Sequence, residues 1–265
     1  MANDLQTQLW NHANANRWLE LRGALGAMLG PFGDAALAAL APGRGERALE
    51  VGCGCGEMTV ELARRTGDAL GLDVSQPLIE VARREAAHGA RYLVADAQTH
   101  RFEERFDVLY SRFGVMFFDD PAAALANLRA ALEPGARLGA AVWGSFEQNT
   151  WASVPLRIIR EHLPGPASPA PGPGPFSLAD PERVTALLTA AGFSEVAVAR
   201  LETTSRAEPA FLLRSGPAAG VLREAGEAAE HLRPILESAV AAQLKDGARA
   251  VALIVSARAL ARRRR

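Results

Sequence analysis

The chain reads Leu49-Glu50-Val51-Gly52-Cys53-Gly54-Cys55-Gly56-Glu57 at the point where a short apolar run gives way to a helical pattern. The apolar run, residues 47–53, predicts a buried β-strand, and the pattern over 57–66 predicts a helix that ends at Gly67. Glycines between them allow a sharp turn and let the backbone approach a ligand without a Cβ atom in the way. This stretch therefore predicts a strand, a ligand-binding loop and a helix in succession.

Further apolar runs alternate with helical patterns along the rest of the chain. Strands are predicted at 69–74, 92–95, 106–113, 137–143, 195–204 and 248–257. Helical segments of ~10–15 residues between strands are typical of βαβ units, which place parallel strands side by side through right-handed crossovers. The sequence therefore predicts an α/β fold: a doubly wound, mostly parallel seven-stranded sheet with helices on both faces.

Two segments lie outside this alternating pattern. Residues 1–34 are predicted to form an N-terminal helical cap, with the main domain at 35–265. After the fifth strand the pattern breaks at an insertion, 144–180, in which residues 164–175 are rich in proline and glycine. That composition excludes a helix interior or a central strand, so 164–175 is predicted to be a loop. The loop is either a lid over a site or a tolerated insertion.

Charge and hydropathy argue against several classes of partner. The formal net charge is −1, and the only basic run is the tail Arg262–Arg265, which is short for nucleic-acid binding. The first residues include an acid, Asp4, where a secretory signal would carry basic residues. No run is expected to be long and apolar enough to span a bilayer. The sequence therefore predicts a cytoplasmic protein without nucleic-acid or membrane partners.

The two cysteines, Cys53 and Cys55, lie between glycines of the loop. A metal site would need further ligands nearby, and His88 and His100 lack metal-site spacing, so no metal is predicted. A reactive pair or a disulfide is the second option. The favoured interpretation is that two small residues fill a tight turn.

The spacing of the glycines narrows the choice of ligand. A P-loop needs Gly-Lys-Ser/Thr, which is absent. A dinucleotide fingerprint needs a third glycine at the position of Glu57, and a carboxylate there is a poor neighbour for a pyrophosphate. The remaining pattern is Gly-x-Gly-x-Gly preceded by Glu50. A zwitterionic ligand that carries a sulfonium tolerates these acids better.

Two aspartates follow the next two predicted strands. Asp73 ends the second strand, where a carboxylate can accept hydrogen bonds from both hydroxyl groups of a ribose. Asp96 ends the third strand, near the expected place of an adenine amino group. The alternative is that both residues are helix caps or turn residues, which are common at strand ends. In this order, together with the glycine loop, the ligand interpretation is favoured.

These motifs together resemble the class I, seven-strand S-adenosylmethionine-dependent methyltransferases. The resemblance spans about residues 45 to 145, and within the family the chain is similar to the small-molecule branch that includes ubiquinone-biosynthesis-type enzymes. The motifs that carry it are Leu49-Glu-Val-Gly-Cys-Gly-Cys-Gly56, Gly71-Leu-Asp-Val-Ser75, Val94-Ala-Asp-Ala97, Phe106-Asp-Val-Leu-Tyr-Ser-Arg-Phe113 and Leu132-Glu-Pro-Gly-Ala-Arg-Leu138.

The resemblance implies a site for S-adenosylmethionine, with the N-terminal cap folded over it. The residues that it assigns to the cofactor are Glu50, Gly52, Gly54, Gly56, Asp73, Val74, Asp96, Ala97 and Ser111. The main chain of the glycine loop would hold the methionine end, and the carbonyl of Ser111, just past the fourth strand, would accept from the methionine amine. Asp73 would bond the ribose. Val74 would pack on the adenine, and Asp96 and Ala97 would face its edge.

One motif departs from a common pattern of the family. Many relatives carry an acidic or Asn-Pro-Pro-Tyr-type element after the fourth strand, whereas this chain has Ser111-Arg112-Phe113. The usual sign of adenine or amide N-methylation, and of nucleic-acid targets, is therefore missing.

Methyl transfer is an in-line displacement, so the protein must align acceptor, methyl and sulfur and exclude water. A general base is needed only where the acceptor atom carries a proton at the working pH. His12 in the cap and His162 in the insertion are the candidate bases, and His100 is expected at the surface. The alternative for each is a solvated or structural histidine.

Aromatic residues are the candidates for the wall of the acceptor pocket. Trp10, Trp18, Phe113, Trp143 and Trp151 could enclose an apolar, dry space, or equally pack in the core. The sequence thus predicts transfer of a methyl group to an O, N or C atom of a small molecule. The alternatives are a protein of the same fold that binds the cofactor without transferring methyl, and an NAD-dependent oxidoreductase, which the glycine spacing disfavours.

Overall fold

Seven strands form one sheet in the order β3-β2-β1-β4-β5-β7-β6. The computed structural model describes residues 3–260, so the basic run Arg262–Arg265 lies outside the described residues. The strands are β1 Arg47–Val51, β2 Asp68–Asp73, β3 Ala90–Val94, β4 Phe106–Arg112, β5 Leu132–Trp143, β6 Phe193–Ser205 and β7 Ala248–Ala259. Strands β1 to β5 pair in parallel, and β7 is antiparallel to both β5 and β6. The predicted doubly wound, mostly parallel seven-stranded sheet is confirmed.

Helices connect and cover these strands. They are α1 Asp4–Asn11, α2 Ala13–Leu40, α3 Glu57–Thr66, α4 Gln76–Arg84, α5 Pro121–Ala130, α6 Thr150–His162, α7 Pro181–Ala190, α8 Pro209–Leu213, α9 Gly216–Ala225 and α10 Glu227–Gln243. Three of them begin with a side-chain cap, since Ser75, Asp120 and Asp180 accept from backbone amides of α4, α5 and α7. Each of these three helices also has a proline in its first turn.

The sheet is covered on both faces. Alternate residues of a strand point to opposite sides. In β4, the hydroxyl of Tyr110 donates a 2.9 Å hydrogen bond to the carbonyl of Gly33 in α2, so Tyr110 faces α2. Its neighbours Leu109 and Ser111 line a small gap shared with side chains of α5 and α7, so they face the other side.

The strand order reverses between β1 and β4, and this reversal positions the site. In such sheets ligands bind in the crevice beyond the carboxyl ends of the strands at the switch point. Here the turns after β1 and β4 lie in close contact: a Cβ atom built on Gly52 would lie 2.6 Å from the Cα atom of Gly114. The glycine loop therefore opens directly onto the crevice.

Helix α2 extends beyond the predicted N-terminal cap, 1–34, since it continues through Pro31 and Gly33 to Leu40. By length and composition alone, α2 is also long and apolar enough to cross a membrane, so the expectation that no such run exists is wrong. Its second half packs along the sheet instead, with Phe32 and Leu40 fully buried, and this apolar face explains both its length and its hydropathy.

The insertion after β5 contains a helix, α6, followed by the proline-rich loop 164–175. The loop is held against the crevice at its end, where the amide of Gly174 and the hydroxyl of Ser177 both donate to the carbonyl of Met116, at 3.0 and 2.6 Å. Pro134 and Gly135 lie within β5, where the pairing with β4 shifts register.

Candidate active site

A cavity of about 400 Å³ lies at the carboxyl ends of the central strands. This volume falls within the range of small-molecule sites. Its walls come from the glycine loop, the ends of β2, β3, β4 and β5, helices α1 and α2, the loop 164–175 and the start of α9. The lining residues at the carboxyl ends of β1, β2 and β3 include Gly52, Cys53, Gly54, Asp73, Val74, Ala95, Asp96 and Ala97.

The glycine loop is held by its own amides. The N–H groups of Gly52 and Cys53 both donate to the carbonyl of Leu72, at 2.8 and 3.2 Å. The N–H of Gly54 donates to Asp73 Oδ2 at 2.9 Å. Gly52 and Gly54 have φ angles of 72° and 53°, a left-handed conformation that favours glycine. The loop therefore presents a bare backbone to the cavity and is braced against β2.

Asp73 lies at the end of β2 and lines the cavity. Its second oxygen, Oδ1, accepts from the amide of Ser75 at 2.9 Å. Burial raises the pKa of this carboxyl above its ordinary value, and the hydrogen bonds from backbone amides oppose that shift. An ionised carboxylate offers about four lone-pair sites, so acceptor capacity remains for hydroxyl groups in the cavity.

Asp96, after β3, is in contact with the N-terminal segment. Its Oδ1 accepts from Asn3 Nδ2 at 2.8 Å and from the amide of Gln98 at 2.9 Å. Asn3 is 3% exposed and also exchanges two 2.7 Å hydrogen bonds with Asp119. The start of α1 is thereby fixed over the end of β3. Asp96 Oδ2 has one long contact, 3.4 Å, to the hydroxyl of Thr99.

The other end of α1 is attached to the turn between β2 and α4. Asn11 donates from Nδ2 to the carbonyl of Val74 and accepts at Oδ1 from the amide of Gln76, both at 2.9 Å. The hydroxyl of Ser75 donates to the carbonyl of Trp10 at 2.6 Å. With Asn3 at its start, α1 thus lies across the ends of β2 and β3 and forms one side of the cavity.

Glu50 does not line the cavity. It is 2% exposed and accepts a 2.5 Å hydrogen bond from the hydroxyl of Thr59. Burial raises the pKa of Glu50 to about 8, against the lowering effects of the Thr59 hydrogen bond and the charge of Arg112. The geometry gives Glu50 a supporting position beneath the loop rather than the direct contact that was expected.

The buried carboxyl of Glu50 predicts a pH-dependent stability. Between the ordinary pKa of 4.5 and about 8, Glu50 is protonated in the folded chain and ionised in the unfolded chain. The free energy of unfolding therefore falls as pH rises through this window, by up to ~1.4 kcal/mol per pH unit. We expect Glu50→Gln to remove this slope, as measured by urea unfolding at pH 5, 6, 7 and 8. Parallel pH profiles for both proteins would contradict the assignment.

Ser111 and Gly56 are also placed differently from the expectation. Ser111 lies inside β4 rather than past it, it faces α5 and α7, and its hydroxyl donates to the carbonyl of Val51 at 2.8 Å. The residues of this segment that line the cavity are Arg112, Phe113 and Gly114. Gly56 starts α3, where a Cβ atom would overlap the ring of Tyr92, so Gly56 serves packing.

The histidines lie away from the cavity. His12 is exposed at the junction of α1 and α2, and His162 is exposed at the end of α6. His100 packs edge-on against Phe102, with ring centroids 4.8 Å apart. Among the lining residues that the structure describes there is no histidine, lysine or tyrosine. His12 and His162 are therefore corrected from candidate bases to surface residues.

Aromatic side chains form the wall on the β5 side. Phe113 stacks on Trp143 with ring centroids 4.2 Å apart, and Trp143 in turn contacts Trp151 of α6 at 5.0 Å. Phe113 has a φ of 60°, a costly conformation for a non-glycine residue that is retained where neighbours hold it. Trp10 and Trp18 pack edge-on at 5.9 Å on the α1 side. These five aromatic residues thus come from five different parts of the fold.

Several lining residues carried no signal in the sequence. Asn3, Arg17, Trp151 and Arg214 line the cavity, yet they come from helices and turns far apart in the chain. Single polar residues in helical patterns are ordinarily solvated, and only the tertiary fold brings these together. Trp151 is the exception, because it was one of the aromatic candidates for the pocket wall.

The cysteines and acids give no metal site. Cys53 and Cys55 are both free and buried, and burial raises the pKa of the Cys53 thiol well above its usual range. Within residues 3–260 no group of three or more His, Cys, Asp or Glu side chains is arranged to hold a metal ion.

Comparison with known proteins identifies a methyltransferase domain. A model of this domain matches residues 48–135, from β1 into β5, and so includes the glycine loop, Asp73 and Asp96. The matched residues therefore form a methyltransferase domain of the class I, S-adenosylmethionine-dependent type. S-adenosylmethionine is the cofactor of this methyltransferase.

Relatives extend over much of the methyltransferase. An uncharacterized protein of Mycobacterium tuberculosis is 29% identical over 240 residues, 83% of each chain. Aklanonic acid methyltransferase of Streptomyces sp. strain C5 is 33% identical over 138 residues, 46% of this chain and 62% of that protein. Phosphoethanolamine N-methyltransferase 2 of Haemonchus contortus superposes with a TM-score of 0.55 at 20% identity, over 86% of this chain and 52% of that one. The last likeness shows a shared fold.

The residues at the switch point fit a sulfonium nucleoside. The loop at Gly52 and Gly54 has no side chain that would occupy the cavity, and a Cβ atom on Gly54 would approach the ring of Trp18, at 3.7 Å. Asp73 and Asp96 supply carboxylates for hydroxyl and amino donors. Phosphate-binding features are missing, since no lysine and no arginine follows the loop directly.

Proposed function

We propose that this enzyme transfers a methyl group to a small molecule with an apolar body, bound in the same cavity as the cofactor. The observation that carries this proposal is the continuity of the cavity, which extends from the glycine loop and Asp73 to the aromatic wall at Trp143 and Trp151. Adjacent strands lie about 4.8 Å apart. From β2 to β5 the sheet order counts three spacings, so about 14 Å separates the two ends.

The cofactor end of the cavity follows from the contacts above. The backbone at Gly52 and Gly54 would hold the methionine part, and Asp73 would accept from the ribose hydroxyl groups. Val74 would pack on the adenine, and Asp96 and Ala97 would face its edge. Residues 1–34, with α1 attached at both of its ends, would form the cap over this part.

Catalysis in this cavity would depend on orientation. The bound cofactor supplies a methyl carbon made electrophilic by its sulfonium. The walls at Phe113, Trp143 and Trp151 would exclude water and orient the acceptor, and alignment can lower the barrier by ~7–11 kcal/mol. With no histidine, lysine or tyrosine among the described lining residues, the acceptor atom would be one that is already unprotonated, such as a phenolate, an enolate or a neutral amine.

The same proposal covers location and partners. A cavity enclosed by α1, α2, the loop 164–175 and α9 suits a small acceptor better than a polymer. The formal net charge of −1 gives no electrostatic footprint for nucleic acid. We infer a cytoplasmic enzyme that acts without a nucleic-acid or membrane partner. The Streptomyces relative, by its name, acts on a small molecule, aklanonic acid.

Release of S-adenosylhomocysteine tests the proposed acceptor class. The purified enzyme is incubated with S-adenosylmethionine and separate pools of phenolic, enolic and amine small molecules, tRNA, and protein lysate. We expect product above the no-acceptor rate only with a small-molecule pool. Turnover with tRNA or protein and none with small molecules would contradict the proposal.

The histidines provide a prediction of no effect. His12→Ala and His162→Ala are expected to change kcat/KM less than about twofold, because both side chains are exposed and neither lines the cavity. Steady-state assays with any accepted substrate measure this. A loss of about 10²-fold or more, the usual effect of removing a general base, would restore that histidine as a catalytic residue.

The proline-rich loop predicts an effect on the acceptor. Pro169 and Pro175 line the cavity, and Phe176, which follows Pro175, packs near Trp151 with ring centroids 6.2 Å apart. We expect a deletion within 166–172 to raise the acceptor KM or lower kcat several-fold while the Kd for S-adenosylhomocysteine changes less than about twofold. Unchanged acceptor kinetics would show that the loop is a tolerated insertion.

A further inference from the structure

Three arginines line the cavity, and two of them have acidic partners. Arg112 forms an ion pair with Glu57, with Nη2 and Oε2 3.7 Å apart, and Arg214 forms an ion pair with Glu20. The side chain of Arg17, in α2, is half-buried, and within residues 3–260 it forms no hydrogen bond and no ion pair. A half-buried guanidinium without such a partner loses solvation that no hydrogen bond replaces. Arg17 is therefore the unmatched charge of the site.

The surroundings of Arg17 are themselves basic. Burial lowers its pKa most, and the positive charges of Arg223 and Arg214 lower it further, against a smaller raising effect of Glu20. Three guanidinium groups thus lie near one carboxylate. Like charges that are close in a partly buried site repel each other, so an anion placed between Arg17 and Arg214 would be attracted by both.

Arg214 lies on the acceptor side of the cavity, and Arg17 is close enough to Arg214 for their charges to interact. Arg214 is followed by Ser215 and Gly216, which also line it. Gly216 packs so tightly on Trp151 that a Cβ atom there would lie 2.7 Å from the ring. The arginine pair is therefore adjacent to the aromatic wall at Trp151, whereas the carboxylates assigned to the cofactor lie at the ends of β2 and β3.

We propose that Arg17 and Arg214 bind a carboxylate group of the methyl acceptor, so that the acceptor is an apolar organic acid. This inference rests on the proposed function, in which the acceptor occupies this cavity. Guanidinium groups match carboxylates in geometry and can bind them through two parallel hydrogen bonds. A monoanion suits the site because one of the two guanidiniums is already paired with Glu20. The apolar body would lie on Trp151 and Trp143.

A matched pair of probes tests this proposal. Binding of 2-naphthoate and of its neutral analogue 2-naphthamide is measured by calorimetry on the enzyme saturated with S-adenosylhomocysteine. We expect wild type to bind the naphthoate at least about tenfold more tightly than the amide. Arg17→Met and Arg214→Met are each expected to reduce that preference at least about fivefold, with little change for the amide.

The control is Arg65→Met, because Arg65 pairs with Glu61 on α3 outside the cavity and its loss should leave the preference intact. Thermal unfolding and S-adenosylhomocysteine affinity of each variant report folding. Equal binding of the two probes to wild type, no binding of either, or a preference that survives both cavity substitutions would overturn the arginine assignment. Failure of wild type to bind S-adenosylhomocysteine would instead overturn the proposed function.

Discussion

Replacing Asp73 with alanine is expected to weaken the binding of S-adenosylmethionine at least about tenfold, or ~1.4 kcal/mol. The carboxylate lines the cavity and also accepts from the amides of Gly54 and Ser75, both at 2.9 Å. Its removal would therefore take away the acceptor for the ribose hydroxyl groups and release the glycine loop at the same time. Isothermal calorimetry with S-adenosylmethionine or S-adenosylhomocysteine measures the change directly.

Asp68→Ala is the matched control for this experiment. Asp68 begins the same strand, β2, at the end away from the cavity and pairs there with Arg91 at 3.0 Å. This control should leave the affinity within about twofold, since surface ion pairs contribute little. Asp73→Asn should be intermediate, because an amide can accept only at one of its two positions. Unchanged affinity in a folded Asp73→Ala protein would refute the role of this carboxylate.

Replacing Gly52 with alanine is expected to lower the free energy of unfolding by ~2–5 kcal/mol. Gly52 has a φ of 72°, and its new Cβ atom would lie 2.6 Å from the Cα atom of Gly114. The left-handed conformation and the backbone overlap both oppose the side chain. Because the two turns meet at the switch point, separating them would also distort the cofactor site and reduce affinity.

Gly45→Ala separates the two causes. Gly45 has a comparable φ of 87°, but no atom lies within 4 Å of its built Cβ position. This control should lose only the ~1–2 kcal/mol of the left-handed conformation. Urea unfolding of both variants gives the comparison. If Gly52→Ala were no less stable than Gly45→Ala, the close contact between the turns after β1 and β4 would not be a constraint.

Much of the fold could be predicted because local signals agree with the tertiary structure. The apolar run at 47–53 and the helical pattern at 57–66 each mark an element that the structure has within two residues. The order of glycine loop, Asp73 and Asp96 predicts residues that all line one cavity, since the carboxyl ends of neighbouring parallel strands share one edge.

Other features depend on contacts that a sequence pattern does not contain. Helix α2 continues past Pro31 because its second half is held on the sheet, where Gly33 accepts from the hydroxyl of Tyr110. Ser111 was expected just past the fourth strand, but it lies within β4, where its hydroxyl donates to the carbonyl of Val51 on the face towards α5 and α7. Arg17 is a lone charge on a helix, and nothing local distinguishes it from a solvated residue.

A crystal structure of the enzyme with S-adenosylhomocysteine shows directly whether the nucleoside binds at the switch point. We expect density for it at the carboxyl ends of β1 and β2, with ribose hydroxyl oxygens within hydrogen-bond distance of Asp73 and the amino-acid part beside Gly52 and Gly54. A complex in which the nucleoside lies elsewhere, or in which Asp73 touches only Gly54 and Ser75, would contradict it.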